Sequence, residues 1–350
     1  MPKRKSVPSL EKLCLENVVK NMERLWLKHC AMDGSLDRDH SHDMKGPFSI
    51  LAGSLLHELL NIMRKRKLMS PALLHLFFLP QLKELNLRPW SQQIGGTIAH
   101  IISVRCKNLT SLILNCCDQI PADALVGLVK VLPRLTTLKL VATQFNTEVL
   151  STIRTSCLGL NELDIAHCKS LTPDSLLHLV YDPITGSYCC QSLEGLTTEG
   201  VMLGPNHLSL LWVLAFVLLA LPSLKYLGNQ ATEQAVRLIH DQQFSHTQML
   251  VGFPSLEEVA RYRASTHPHE ERSRFTLGLK QVCGVLDSSL PKVGAVCPHL
   301  LEVSVILRNS HGLDQHLLSW HNLVHLSIDG MGKDLRELFP VITCLGTQLK

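Results

Sequence analysis

The sequence predicts an α/β solenoid, a stack of short units that each climb through a strand and return through a helix. Two observations carry that prediction. The pattern L-x-x-L-x-L begins at Leu82 (L-K-E-L-N-L), Leu109 (L-T-S-L-I-L), Leu135 (L-T-T-L-K-L) and Leu160 (L-N-E-L-D-I), at spacings of 27, 26 and 25 residues. Side chains alternate along a strand, so each run presents a leucine face. A period in this range leaves room for a true helix on the way back. The returns agree: Pro121 opens the apolar run 122–129, and Thr172-Pro173-Asp174 repeats that start signal, with Thr172 a candidate N-cap.

The architecture expected is a leucine-rich repeat solenoid shaped like the ribonuclease-inhibitor horseshoe, with a parallel sheet inside and helices outside. Weaker units start at Leu193, Leu224, Leu256, Leu300 and Leu323. The 44 residues from Leu256 to Leu300 contain a polar stretch, Arg261 to Arg274, read as an inserted loop. The most apolar segment, Leu208 to Leu221, ends at Pro222 after 14 residues. A membrane-spanning helix needs about 20, so this one is expected to be a buried convex helix, with no membrane partner. The chain divides into a small helical region over 1–79 and the solenoid over 80–350.

Ahead of the repeats lies Ser9-Leu10, three residues, Cys14, three residues, Val18. On a helix this spacing lines Leu10, Cys14 and Val18 along one side, with Leu13 beside them. The stripe extends to Met22, Leu25 and Trp26, which suggests one helix from Ser9 to Leu27 capped by Ser9. Cysteine packs as a small apolar group and can serve as a knob in a protein groove. Two readings stand for this segment: a docking box, with its stripe open, or a cap on the solenoid, with its stripe buried.

The order S-L-x-x-x-C-L, followed by Met22-Glu23-Arg24, resembles the elongin-BC box of the Zyg-eleven/Zer-one family. Those are leucine-rich repeat substrate receptors that hang from elongin C and a cullin of the second type. The resemblance implies partners elongin C, elongin B and that cullin, with Leu10, Leu13, Cys14 and Val18 as elongin-binding residues. The family's second element is built on a proline and aliphatic residues. Pro47, Ile50 and Leu51 occupy that place as cullin-binding residues, ahead of an apolar helix from Leu55 to Met63. The sequence departs from the family at Gly46, where an apolar residue is usual. It also departs past Leu335, where nothing supplies the family's helical armadillo-like region.

Composition narrows the remaining classes. With 45% hydrophobic and 18% charged residues the chain is globular. The net charge of +4, with only the short clusters Pro2–Lys5 and Arg64–Lys67, suggests no nucleic-acid partner. The second cluster suits the negative end of a helix. None of the 12 cysteines forms C-x-x-C, and Cys116-Cys117 and Cys189-Cys190 are vicinal, so no metal site is expected. Cys117 and Cys168 fall at the N/C position of the repeat; Cys106, Cys157 and Cys297 each precede a unit's first leucine by three residues. Buried thiols and no visible secretory signal point to the cytoplasm or nucleus. No phosphate loop, nucleophile elbow or kinase signature is present, so no catalytic residue, cofactor or enzymatic activity is expected.

The residues between the leucines should line the inner face. Arg88, Asn115, Lys139 and Asp164 are the candidate client-binding residues, continued by His325, Ser327 and Asp329. The array reaches Leu349 without a clear polar cap, so further chain or a partner is expected there. The function expected is a substrate-recognition adaptor of an elongin BC/cullin-RING E3 ubiquitin ligase. The alternative is a leucine-rich repeat scaffold with no ubiquitin role.

Overall fold

Among the described residues nine strands form one sheet in which all neighbours run parallel. The order is β1 (Glu84–Asn86), β2 (Ser111–Ile113), β3 (Thr137–Lys139), β4 (Glu162–Asp164), β7 (Gly195–Thr197), β8 (Tyr226–Gly228), β9 (Gln281–Leu286), β10 (Glu302–Ile306) and β11 (His325–Asp329). A two-stranded hairpin, β5 (Tyr181–Asp182) and β6 (Ser187–Tyr188), stands apart from it. This computed structural model describes residues 9–22, 48–66, 68, 71–201, 207–244, 251–266, 275–308, 317, 320–330, 339, 343, 345–346 and 349.

The repeat leucines stack as the spacing predicts. Leu85, Leu112, Leu138, Leu163, Leu196 and Leu227 pair in register across six strands. Each is buried. The turn after each of the central strands bends through a left-handed residue: Cys116, Ala142, His167 and Gly200 have φ of 64°, 53°, 58° and 68°. The next residue tucks its side chain under the sheet. Thr143 donates to the Leu140 carbonyl at 2.7 Å, and the Cys168 thiol donates to the same oxygen from the neighbouring unit at 3.2 Å. Burial pushes the thiols of Cys106, Cys117 and Cys190 up to about 12 and that of Cys157 up to about 11. They pack as apolar groups.

Among the described residues three helices precede the sheet: α1 (Leu10–Met22), α2 (Gly53–Arg66) and α3 (Pro71–His75). The outer layer continues with α4 (Gly96–Arg105), α5 (Ala122–Lys130), α6 (Thr147–Ser156), α7 (Leu177–Val180), α8 (His207–Ala220), α9 (Thr232–His240), α10 (Leu256–Thr266) and α11 (Leu290–Val296). Helix α8 is the apolar segment expected on the convex side, with Val213 to Leu221 all buried. Among the described residues no helix is long and apolar enough to cross a membrane.

Two expectations are corrected. Leu256 does not start a strand; it opens α10. The strand of that unit is β9, which the sequence hides. Its third apolar position has slipped by one, giving Leu279-x-x-Val282-x-x-Val285, because a bulge sits between its pairings with Val303 and Val305 and Gly284 takes a φ of 70°. The stretch from Arg261 is not all loop either. Residues 261–266 finish α10, while 267–274 lie outside the described residues. Arg263 turns inward and donates to the Leu218 and Leu219 carbonyls at the end of α8, at 3.2 and 3.4 Å. It satisfies carbonyls that a helix end leaves without partners. The signal was available: Leu256, Val259, Ala260 and Arg263 fall at helical spacing. Ser255 and Glu258 form a reciprocal cap, the carboxylate accepting from the Ser255 N–H at 2.6 Å and the Ser255 hydroxyl accepting from the Glu258 N–H at 3.2 Å.

The hairpin β5–β6 was also not anticipated. A buried guanidinium holds it: Arg154 on α6 donates to the Tyr181 carbonyl at 2.8 Å and pairs with Asp182 at 3.1 Å. The Thr185 hydroxyl donates to Asp182 and, as the foremost cause, keeps its carboxyl below the usual carboxylate range.

Candidate functional site

The first candidate site is the exposed side of α1. Ser9 caps the helix, its hydroxyl accepting from the Lys12 N–H at 3.3 Å. Leu15, Val19 and Met22 are buried where α1 packs on α2, whose own buried residues are Leu56, Leu59, Leu60, Ile62 and Met63. Glu16 and Arg66 lock the two helices with an ion pair at 2.8 Å. The opposite side is open: Leu10 is 78% exposed, Leu13 47%, and Cys14 is exposed too.

The single stripe expected from Leu10 to Met22 is therefore two. A spacing of four outruns the helical period of 3.6 by about 40° at each step. The series Leu10, Cys14, Val18, Met22 thus winds from solvent toward the core. Val18 is half-buried on the way and Met22 is buried. Residues 23–30, which include Leu25 and Trp26, lie outside the described residues.

The second element begins, among the described residues, at Phe48. Phe48 is buried and stacks on Phe77, ring centroids 5.1 Å apart. The Gln81 amide donates to the Ser49 carbonyl at 2.6 Å and to the Leu51 carbonyl at 3.4 Å. The turn from Phe48 to Leu51 is thereby pinned to the first repeat on both sides of Ile50, which is left 91% exposed. Leu51 is half-buried. Gly53 lies so close to Gln81 that a Cβ there would overlap the Gln81 carbonyl oxygen. Pro47 lies outside the described residues.

The inner face is the third candidate. Lys139 and Asp164 are register partners. Arg88 and Asn115 are not in their row: Ile113, not Asn115, is the partner of Lys139, and Asn115 lies two residues beyond Ile113, past the end of β2. Arg88 lies beyond β1, at the start of a 3-10 turn over Arg88–Gln93, and is exposed. Several of these groups are already engaged within the array. Asn115 accepts from the Val141 N–H of the next unit at 3.3 Å. Lys139 pairs with Glu162 at 2.6 Å. Asp164 accepts from the Ala166 N–H at 3.2 Å, and partial burial raises its carboxyl above the usual range.

Farther along, a cavity of about 380 Å³ opens on β9–β11, lined by Gln281, Cys283, Glu302, Ser304, His325 and Ser327 with Leu349 at its side. The alternation of the last strand places His325, Ser327 and Asp329 on the exposed side, as expected. Among the described residues no three histidine, cysteine or acidic side chains are grouped to hold a metal.

No protein-family model matches the sequence. No curated protein gives a significant match. Among solved structures, the chain is similar to that of the Rad7 and Elc1 complex in yeast, at 16% identity and a TM-score of 0.45, over 98% of this chain and 92% of that one. It is also similar to a leucine-rich repeat protein of Leptospira interrogans, at 15% identity and a TM-score of 0.30, over 75% of each chain. At such low similarity neither likeness bears on function. The stacked leucines and the continuous parallel sheet make the chain a leucine-rich repeat solenoid with a helical N-terminal region.

Proposed function

We propose that the chain is the substrate-recognition subunit of an elongin BC/cullin-RING ubiquitin ligase. In this reading it carries no chemistry of its own. It docks through the N-terminal helices, holds a client on its inner face and leaves catalysis to a recruited enzyme. The observation that carries the reading is the split of α1 into two apolar sides. Leu15, Val19 and Met22 suffice to fix the helix on α2, yet Leu10, Leu13 and Cys14 stay in water. Large apolar side chains held open on a braced helix suit a partner's groove. Ile50, on its pinned turn, would extend the same dock toward the cullin with Pro47 and Leu51. The client would lie on the inner face, reached by Arg88, Asn115, Lys139 and Asp164.

The test replaces Leu10 by Gln and Cys14 by Asn and measures capture by elongins B and C. Burial of one leucine is worth about 1.5–3 kcal/mol, so elongin binding should weaken at least ten- to hundredfold. The melting temperature should stay unchanged, because both side chains are already in water. A second reading, a scaffold whose α1 only caps the solenoid, is favoured by the half-burial of Val18. Elongin capture unaffected by the double change would leave that reading in place.

A further inference from the structure

We propose that the cavity on β9–β11 is the anchor point for the client and takes a lysine or arginine side chain from an extended segment. This deepens the adaptor reading and rests on its premise that a client lies on the inner face.

The inference comes from comparing two equivalent glutamates. Glu162 in L-N-E-L and Glu302 in L-L-E-V occupy the same position of their units. Glu162 is the register partner of Thr137, and the residue two beyond Thr137, Lys139, places its ammonium 2.6 Å from the carboxylate. Glu302 is the register partner of Gln281, and the residue two beyond Gln281 is Cys283. The lysine slot is filled by a short side chain that ends in a thiol. The Glu302 carboxylate has no ion-pair or hydrogen-bond partner among the described residues.

The space left beside it is the cavity. Among the described residues that line it, Glu302 is the one formally charged side chain. A cationic group entering from solvent would therefore complete the pair that Lys139 completes at Glu162. Its aliphatic stem would lie along Leu349, which also lines the cavity. The hydroxyls of Ser304 and Ser327, opposite each other in the register, are placed to bond the backbone of the segment. At about 380 Å³ the cavity is near the low end for ligand sites. It suits one or two side chains and not a bulky cofactor, and an anion would meet the Glu302 carboxylate.

The experiment uses the full chain and a phage library of extended peptides randomised at nine positions. Peptides selected on the wild-type protein should be enriched in lysine or arginine. Glu302→Gln should weaken the selected pool about tenfold, the scale of a charged hydrogen bond. Cys283→Lys should abolish binding, because an internal lysine would then occupy the slot. Melting curves and elongin capture, measured on the same variants, should not fall. Selected peptides that lack basic residues, a pool indifferent to both substitutions, or a selection that returns no Glu302-dependent binder would each overturn the proposal. Loss of elongin capture by the Leu10 and Cys14 changes bears on the docking reading alone and leaves this binding measurement standing.

Discussion

Strands β2, β3, β4, β7 and β8 belong to the same sheet as strands β9–β11 but treat their inner faces differently. In the first block the strands are three residues long and their side chains bond to the next rung. Lys139 meets Glu162, Lys225 meets Glu194, Asn115 reaches the Val141 N–H, and Asn229 donates to the Thr198 carbonyl. In the second block the strands run to five and six residues, β9 is bulged, and Glu302 faces a cavity with no lysine beside it among the described residues. The two blocks meet at one register pair, Tyr226 with Gln281. A repeat that satisfies its own polar groups gains rigidity and loses binding capacity, because a partner must first displace internal bonds. A repeat that leaves them open keeps capacity at the cost of local stability.

The largest effect should come from the cores of the two blocks. Leu163 is fully buried, so Leu163→Ala should cost about 2–5 kcal/mol in chemical unfolding. Leu326 occupies the same repeat position in β11 but is only half-buried. Leu326→Ala should cost less than half as much. Equal losses would erase the distinction between the blocks.

A smaller effect should separate their polar groups. Asn115→Ala leaves the Val141 N–H without its side-chain partner and should lower stability by about 1 kcal/mol. Ser304→Ala, on an open cavity wall, should leave the melting temperature unchanged. Native-state hydrogen exchange gives the same comparison without mutation: amides of β3 and β4 should exchange near the global rate, and those of β11 sooner. Protection of β11 equal to that of β4 would contradict it.

The smallest effect is a pH dependence inside the first block. Partial burial, the largest cause, raises the Asp164 carboxyl above its ordinary value. The folded state therefore holds this proton to higher pH than the unfolded chain does, and the group's contribution to stability falls as pH rises through that window. Asp164→Asn keeps an acceptor for the Ala166 N–H and removes the charge. The variant should gain slightly over wild type at pH 7, with the gain shrinking as the pH drops below the ordinary carboxylate range. A gain that grows on acidification would reverse the sign and refute this account.

Local pattern determined much of this molecule. The runs at Leu82, Leu109, Leu135 and Leu160 specify strands, their order and their register, since each neighbours only the next unit. The same locality made the buried cysteines, the convex helix α8 and the cap at Ser9 legible, along with the exposed side of β11. Tertiary packing decided the rest. The spacing of four already winds Leu10, Cys14, Val18 and Met22 around the helix; which end of that series meets the core depended on where α2 sits against α1. Strand β9 escaped because a bulge shifts its apolar positions by one residue, and a pattern tied to strict alternation cannot follow that shift. Arg154 carries no signal in the sequence and Arg263 lies in the stretch expected to be a loop; only the carbonyls brought to them by distant segments make them internal braces. The difference between Glu162 and Glu302 was written in the sequence as Lys139 and Cys283, 23 and 19 residues upstream. It became a difference between a closed ion pair and an open cavity only when the register set each pair side by side, because charge acts through space and not along the chain.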